Sequence, residues 1–239
     1  KTAGEKLYNG LYHPATSLII SFFGDLHDSE VEGYSYDPDK ANELLDEAGY
    51  KDVDGDGIRE GKDGKEFKIT FAARKRTEAN EALVQQYIAW WKEVGLNVEL
   101  YTGRTVEINT FYDAIQANDA SIDMYAGGWS TGYDPNPNGL WGETAPFNMS
   151  RFVDEKNTEL LDAIGSVASF DEKTNLKNYK AWQEYAFEQA FAIPTFESEA
   201  ITAVNKRVKN FDTNYGSASE NGIALENIEL TADKGVAAE

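Results

Sequence analysis

Between residues 66 and 128 the apolar positions of this chain switch repeatedly between two periods. "FKITFAA" (67–73) alternates apolar with polar and is rich in β-formers, which predicts a strand. "TEANEALVQQYIAWWKEVG" (77–95) places Leu83, Val84, Tyr87, Ile88, Trp91 and Val94 on one helical face. It opens on Thr77 as N-cap and stops at Gly95. "LNVELYT" (96–102) reads as a second strand, and "TVEINTFYDAIQAN" (105–118) as a helix with Phe111, Tyr112 and Ile115 inward. "IDMYAGGW" (122–129) reads as a third strand. Strands separated by helices predict parallel pairing through right-handed crossovers, a βαβαβ core of the α/β class. In that setting the Tyr87/Trp91 stripe belongs to the core.

Upstream, "YDPDKANELLDEAGY" predicts a short helix with Asp37 as N-cap, Pro38 at the first turn, and Ala41, Leu44, Leu45 and Ala48 on one face. Gly49 supplies its left-handed stop. Downstream, helices are expected over 154–166 and 171–190, the latter with Leu176, Tyr179, Trp182 and Tyr185 in phase. Short strands are expected over 191–198, 200–204 and 227–231. Residues 1–36 show no clear period and read as an extended lead-in.

Composition narrows the function classes. Hydrophobic residues are 41% of 239, enough for a substantial core. The net charge of −20 repels nucleic acid and anionic lipid. "ARKR" (73–76) is an isolated basic run at a strand end and reads as a solvated turn. With no cysteine there is no disulfide, thiolate metal site or cysteine nucleophile. No apolar run approaches the ~20 residues of a membrane helix, and the opening "KTAGEKLYNG" has no signal-peptide core, so the chain reads as an excised piece.

Two motifs carry candidate chemistry. Gly128-Trp-Ser130-Thr-Gly132 matches the G-x-S-x-G of serine hydrolases. A nucleophile elbow, however, needs a helix directly after the serine, and Asp134-Pro-Asn-Pro137 forbids one. The only histidines, His13 and His27, precede it. A catalytic role for Ser130 is disfavoured, and no catalytic residue is assigned. The loop leaves the carboxyl end of the third strand, where ligands of open α/β sheets gather. Gly127 and Gly128 would let another backbone approach, and Trp129, Tyr133 and Trp141 would offer large faces with polar tips. A cleft wall that binds an extended chain by main-chain hydrogen bonds is one reading. A plain surface loop is the other.

"DVDGDGIREGKD" (52–63) is the second motif. Asp52, Asp54, Asp56, Glu60, Asp63 and the Ile58 carbonyl fall at calcium-loop spacing around Gly57. Position 12 is an aspartate where a glutamate is usual, and no paired EF-hand helices flank the loop. A tight Asp-Gly turn without metal gives the same pattern. A structural calcium is the only cofactor candidate; none is required.

From about residue 8 to 230 the chain resembles the extracytoplasmic solute-binding components of ABC importers, in the large peptide/nickel-binding family. The resemblance rests on "YDPDKANELLDEAGY" with "DVDGDGIRE", "LVQQYIAWWKEVGLNVEL", "DMYAGGWSTGYDPNP", "FNMSRFVDEKNTELLDAIGS" and "YKAWQEYAFEQAFAIPTF" in that order. It implies a class II periplasmic-binding-protein-like fold, of which this segment would be the C-terminal portion of a two-lobed clamp. Residues 37–199 would form the second, ligand-binding lobe, and 200–239 would hold strands returning toward an absent first lobe. It implies an oligopeptide ligand, a membrane permease as partner, a monomer, and a lipid-anchored or periplasmic location. The Gly-Trp loop of the family lines the peptide cleft, which carries onto Gly127, Gly128, Trp129, Ser130, Gly132, Tyr133 and Asp134. Well-known members place an aspartate three residues after that tryptophan to pair with the peptide amino terminus. Here Gly132 stands there and Asp134 lies two residues on. Rival readings are a same-fold receptor for an oligosaccharide or metal chelate, the disfavoured hydrolase, and a calcium-stiffened interaction module.

Overall fold

The computed structural model of the protein describes residues 2–129, 132, 134–198, 201–211 and 225–235. Its centre is β2 (Lys68–Ala73), paired in parallel with β3 (Asn97–Leu100) on one side and β4 (Met124–Ala126) on the other. The β2–β3 crossover is α3 (Glu78–Glu93), and the β3–β4 crossover is α4 (Ile108–Gln116). Successive β2 side chains alternate between these helices. Phe71 and Ala73 pack with Val84 and Val98 on the α3 face, while Ala72 packs with Phe111 and Ile115 on the α4 face. Helices on opposite faces follow from right-handed connections that run first one way along the sheet and then back. The predicted βαβαβ core is therefore present. Tyr87 and Trp91 are half-buried within it, Trp91 edge-on to Phe71 at 5.1 Å.

Helix ends follow the written signals. Asp37 caps α2 (Pro38–Glu47) by accepting from Lys40 N, and Thr77 caps α3 by accepting from Asn80 N. Gly49 and Gly95 sit at φ +90° and +80°, past the ends of these helices. A second core forms where α6 (Glu155–Ile164) and α7 (Glu172–Gln189) pack together around Leu161, Ile164, Tyr179, Trp182 and Ala186. Both helices are capped by an aspartate, Asp154 and Asp171.

Two sequence expectations are corrected and two strand pairings are unforeseen. Residues 1–36 are not simply extended: they hold α1 (Thr2–Leu7), β1 (Tyr12–Pro14) and a 3-10 turn over Ser21–Leu26. Ile19 from this segment enters the Trp182 core. β1 pairs antiparallel with β5 (Phe196–Ser198), a partner from the far end of the chain that no local pattern announces. The strand expected over 200–204 is absent at 201–204, and residue 200 lies outside the described residues. The weak strand near 227–231 exists as β7 (Glu229–Leu230), paired with an unforeseen β6 (Val208–Lys209).

Three tyrosines are expected to make the fold sensitive to alkali. Burial, chiefly, pushes Tyr87, Tyr179 and Tyr185 up to about 12; lesser contributions come from Tyr8, Asp134 and Asp154 respectively. A raised folded-state value favours the protonated phenol in the native state. The stabilisation is complete below the ordinary tyrosine value of ~10 and is lost as pH rises through about 12. In a phenolate-absorbance titration run with circular dichroism, some of the thirteen tyrosines are expected to ionise late, together with loss of helix. A single wave near pH ~10 with helix intact would contradict this.

Candidate ligand-binding site

The carboxyl ends of β2 and β4 lie side by side, with Ala73 opposite Ala126. Chain leaves β2 toward α3 on one face, whereas β4 was reached from α4 on the other. In open α/β sheets such a change of direction marks the edge at which ligands gather. Gly127, Gly128 and Trp129 continue β4 past this edge, and all three are exposed. Among the described residues, a Cβ on Gly128 would meet nothing within 4 Å. One on Gly127 would stand 3.0 Å from the Tyr125 ring. Trp129 is 36% exposed and rests edge-on against Phe147, with ring centroids 5.7 Å apart.

Beyond Trp129, Ser130, Thr131 and Tyr133 lie outside the described residues. Gly132 is exposed, and among the described residues an added Cβ there would meet nothing within 4 Å. Asp134 is exposed, its Oδ1 accepting from Asn136 N at 2.9 Å; Asn136 Oδ1 in turn accepts from Asn138 N at 2.9 Å. These two side-chain turns steer the loop into the short helix α5 (Asn138–Trp141). Among the described residues, the first helix after Ser130 begins at Asn138. His27 Nδ1 is engaged with the Ile19 carbonyl at 2.7 Å.

One expected site aromatic is corrected. Trp141 is 7% exposed and packs with Ile19, Leu161 and Trp182, so it anchors the loop in the core and presents no face to a ligand. Its carbonyl accepts from Asn157 Nδ2 at 2.8 Å. The basic run continues from the carboxyl end of β2. Arg74 stacks over the Tyr112 ring at 6.0 Å, and Lys75 Nζ meets Glu107 at 3.1 Å.

The acidic turn lies apart from these loops, between α2 and β2. Asp52, Asp54 and Glu60 bring carboxylate oxygens within 4.8 Å of one another. Asp52 accepts from Gly55 N and Gly57 N, Asp54 from Asp56 N, and Asp56 from Ile58 N. Glu60, at the edge of burial, accepts from Val53 N. Asp63 pairs with Lys65 at 3.1 Å. The turn thus closes on its own amides, and three of the candidate ligand side chains converge while Asp56 and Asp63 do not join them. What the turn delivers is Arg59, whose guanidinium reaches Asp46, Asn42 and two carbonyls. No local pattern signals that role, nor the seat of Phe147 beside Trp129.

A three-stranded parallel sheet with crossover helices on both faces is the α/β core that a class II periplasmic-binding-protein-like fold requires. Comparison with known proteins narrows the class. Residues 1–151 match the profile of bacterial extracellular solute-binding proteins, family 5 Middle, and the chain belongs to that family. The oligopeptide-binding protein OppA of Lactococcus lactis subsp. cremoris (strain SK11) is 38% identical over 217 residues, 89% of this chain and 36% of that protein. The structure of lactococcal OppA, complexed with an endogenous peptide in the closed conformation, superposes with a TM-score of 0.79 at 36% identity. It covers 82% of this chain and 37% of that one. AppA of Bacillus subtilis, in complex with a nonapeptide, shares the fold with a TM-score of 0.79 at 19% identity, over 97% of this chain and 45% of its own. The chain therefore spans between a third and a half of the length of these relatives. Among the described residues, no helix is long and apolar enough to cross a membrane.

Proposed function

We propose that this chain supplies one lobe of an oligopeptide receptor for an ABC importer, holding extended peptide without chemical change and handing it to a membrane permease. The observation that carries the reading is the exposed Gly127-Gly128-Trp129 turn, which continues β4 past the carboxyl edge of the sheet. Unhindered backbone next to an exposed indole suits main-chain hydrogen bonding with side-chain cover. The relatives named for oligopeptide binding agree with it. In this reading residues 37–199 form the ligand lobe, and the strands after 200 return toward a first lobe that closes over the ligand by a hinge motion. The receptor would work as a monomer outside the cell membrane, lipid-anchored or periplasmic, with no cofactor required. Burial of Trp141 removes one of the two described aromatics on which a sugar-stacking alternative would rest.

The amino terminus of the peptide is not fixed by a buried acid in this reading. Gly132 replaces the anchoring aspartate, and Asp134 is exposed and occupied with Asn136 N. Exposed ion pairs contribute ~0–1 kcal/mol, whereas a desolvated amine with its carboxylate contributes ~2–5 kcal/mol. Calorimetry on the full natural chain, with one peptide in free and N-acetylated form, is expected to show affinities within about 5-fold. A loss of about 30-fold or more on acetylation would reject the backbone-held mode, and failure of every peptide tested to bind would reject the peptide reading.

A further inference from the structure

We propose that Asn138 is a site of spontaneous covalent modification. Attack by the Gly139 amide converts it to aspartate and isoaspartate, which puts a negative charge and a backbone defect into the loop that follows Trp129.

The chemistry needs only the chain and water. The amide nitrogen after an asparagine attacks the side-chain Cγ and loses its proton, and the carboxamide C–N bond breaks to release ammonia. Water then opens the resulting five-membered imide at either carbonyl. One opening gives aspartate; the other gives isoaspartate, in which the main chain runs through the side chain with one extra methylene. Glycine in the second position favours the ring because no Cβ crowds the attacking nitrogen. A hydrogen bond from that nitrogen holds it back from the attack.

The structure sorts the asparagines by these conditions. Asn136 is followed by Pro137, whose nitrogen carries no hydrogen. Asn148 is buried, and the amide after it, Met149 N, donates to the Phe147 carbonyl at 2.7 Å. Asn9-Gly10 is an exposed Asn-Gly link, but Gly10 N donates to the Gly4 carbonyl at 3.1 Å. Asn221-Gly222 lies outside the described residues. Asn138 and Gly139 are both exposed. Asn138 opens α5, so the Gly139 amide falls in the first turn, where a helix offers its own N–H groups no acceptor. Among the described residues no other acceptor meets it. The Asn138 backbone is held, its N–H by Asn136 Oδ1 and its carbonyl by Gly142 N, both at 2.9 Å. Its carboxamide has no hydrogen bond among the described residues.

The fold does not demand glycine at 139. The residue is not in the left-handed region, and among the described residues an added Cβ would meet nothing within 4 Å. The modification would fall where it matters for the loop. α5 is four residues long and ends on Trp141, the residue seated in the core. An extra methylene at 138 disturbs the bond to Gly142 N at that anchored end.

The test is a peptide map of the full natural chain, incubated warm at mildly alkaline pH beside a sample in urea. In urea Asn9 and Asn138 should convert alike, because they form the same dipeptide. In the folded protein Asn138 should lead Asn9 by about 5-fold or more, with both acids found at 138. Gly139→Ala should slow conversion at 138 by about 10-fold without lowering the melting temperature. Conversion at 138 no faster than at Asn9 in the folded protein, or unslowed in Gly139→Ala, would overturn the site. Aspartate without isoaspartate would reject the ring route. None of these readouts depends on ligand binding, so failure here would leave the peptide reading untouched.

Discussion

Substituting alanine for Arg59 is expected to lower the unfolding free energy by about 3–5 kcal/mol, although no crevice residue is touched. The Arg59 side chain is only 11% exposed. Its Nε donates to the Val94 carbonyl at 2.8 Å, and Nη1 to Asp46 Oδ1 and the Tyr50 carbonyl, both at 2.6 Å. Nη2 donates to Asn42 Oδ1 at 2.9 Å. One planar group thus ties the face of α2, the residue after its stop and the C-terminal end of α3. Removing it strands part-buried carbonyls and takes away the stem that packs under Gly95, where a Cβ would stand 2.9 Å from Arg59 Cγ. α2 has no fully buried residue of its own, so this clamp is a large share of what docks it. Urea denaturation of the wild type, Arg59→Ala and Arg59→Lys would measure the effect. Lysine should recover little, since an ammonium cannot span four acceptors set in a fork. A loss under about 1 kcal/mol in Arg59→Ala would show the clamp to be dispensable.

The same residue shows where sequence stops being informative. Local signals act over a few residues and read through directly. Asp37 and Thr77 cap the helices they were expected to cap, and the alternation in "FKITFAA" sorts Phe71 and Ala73 from Ala72 onto opposite faces. The parallel order follows because two crossover helices leave few other ways to cover a three-stranded sheet. The position of the Gly-Trp turn at the carboxyl edge was legible for the same reason. Long-range pairing was not. β1 is three residues long and acquires its identity from Glu197 and its neighbours, opposite His13. Trp141 looked like a loop aromatic because nothing nearby in sequence says that Ile19 and Trp182 will enclose it. The aspartates of the acidic turn draw attention to a cation, yet the side chain that ties the turn to α2 and α3 is that of Arg59. Buried polar residues are hardest of all. Gln183 is 2% exposed and joins Ser17, Leu26 and Asp28 to α7, bonds that no periodicity foretells.

Asn157→Ala is expected to cost about 3–4 kcal/mol, because it strands two buried partners at once. Asn157 is 1% exposed; its Nδ2 donates to the Trp141 carbonyl at 2.8 Å, and its Oδ1 accepts from Trp182 Nε1 at 3.0 Å. Trp182 is fully buried, so its indole N–H has no route to water once the amide is gone. The cost should therefore be shared rather than additive. Trp182→Phe removes the donor, and in that background Asn157→Ala should be milder by about 1 kcal/mol or more in a double-mutant cycle. A coupling near zero would mean that the two groups are satisfied independently, leaving α6 and α7 joined by apolar packing, the Asn178 bond to the Ala163 carbonyl and the Tyr185 bond to Asp154. The cycle also bears on the crevice. The 127–141 loop is anchored at one end by β4 and at the other by Trp141, so the bond that fixes the Trp141 carbonyl fixes the far end of the loop. If Asn157→Ala at temperatures well below its melting point weakens peptide binding while Arg59→Ala does not, the loop acts as a held arm whose stiffness is set from the helical core.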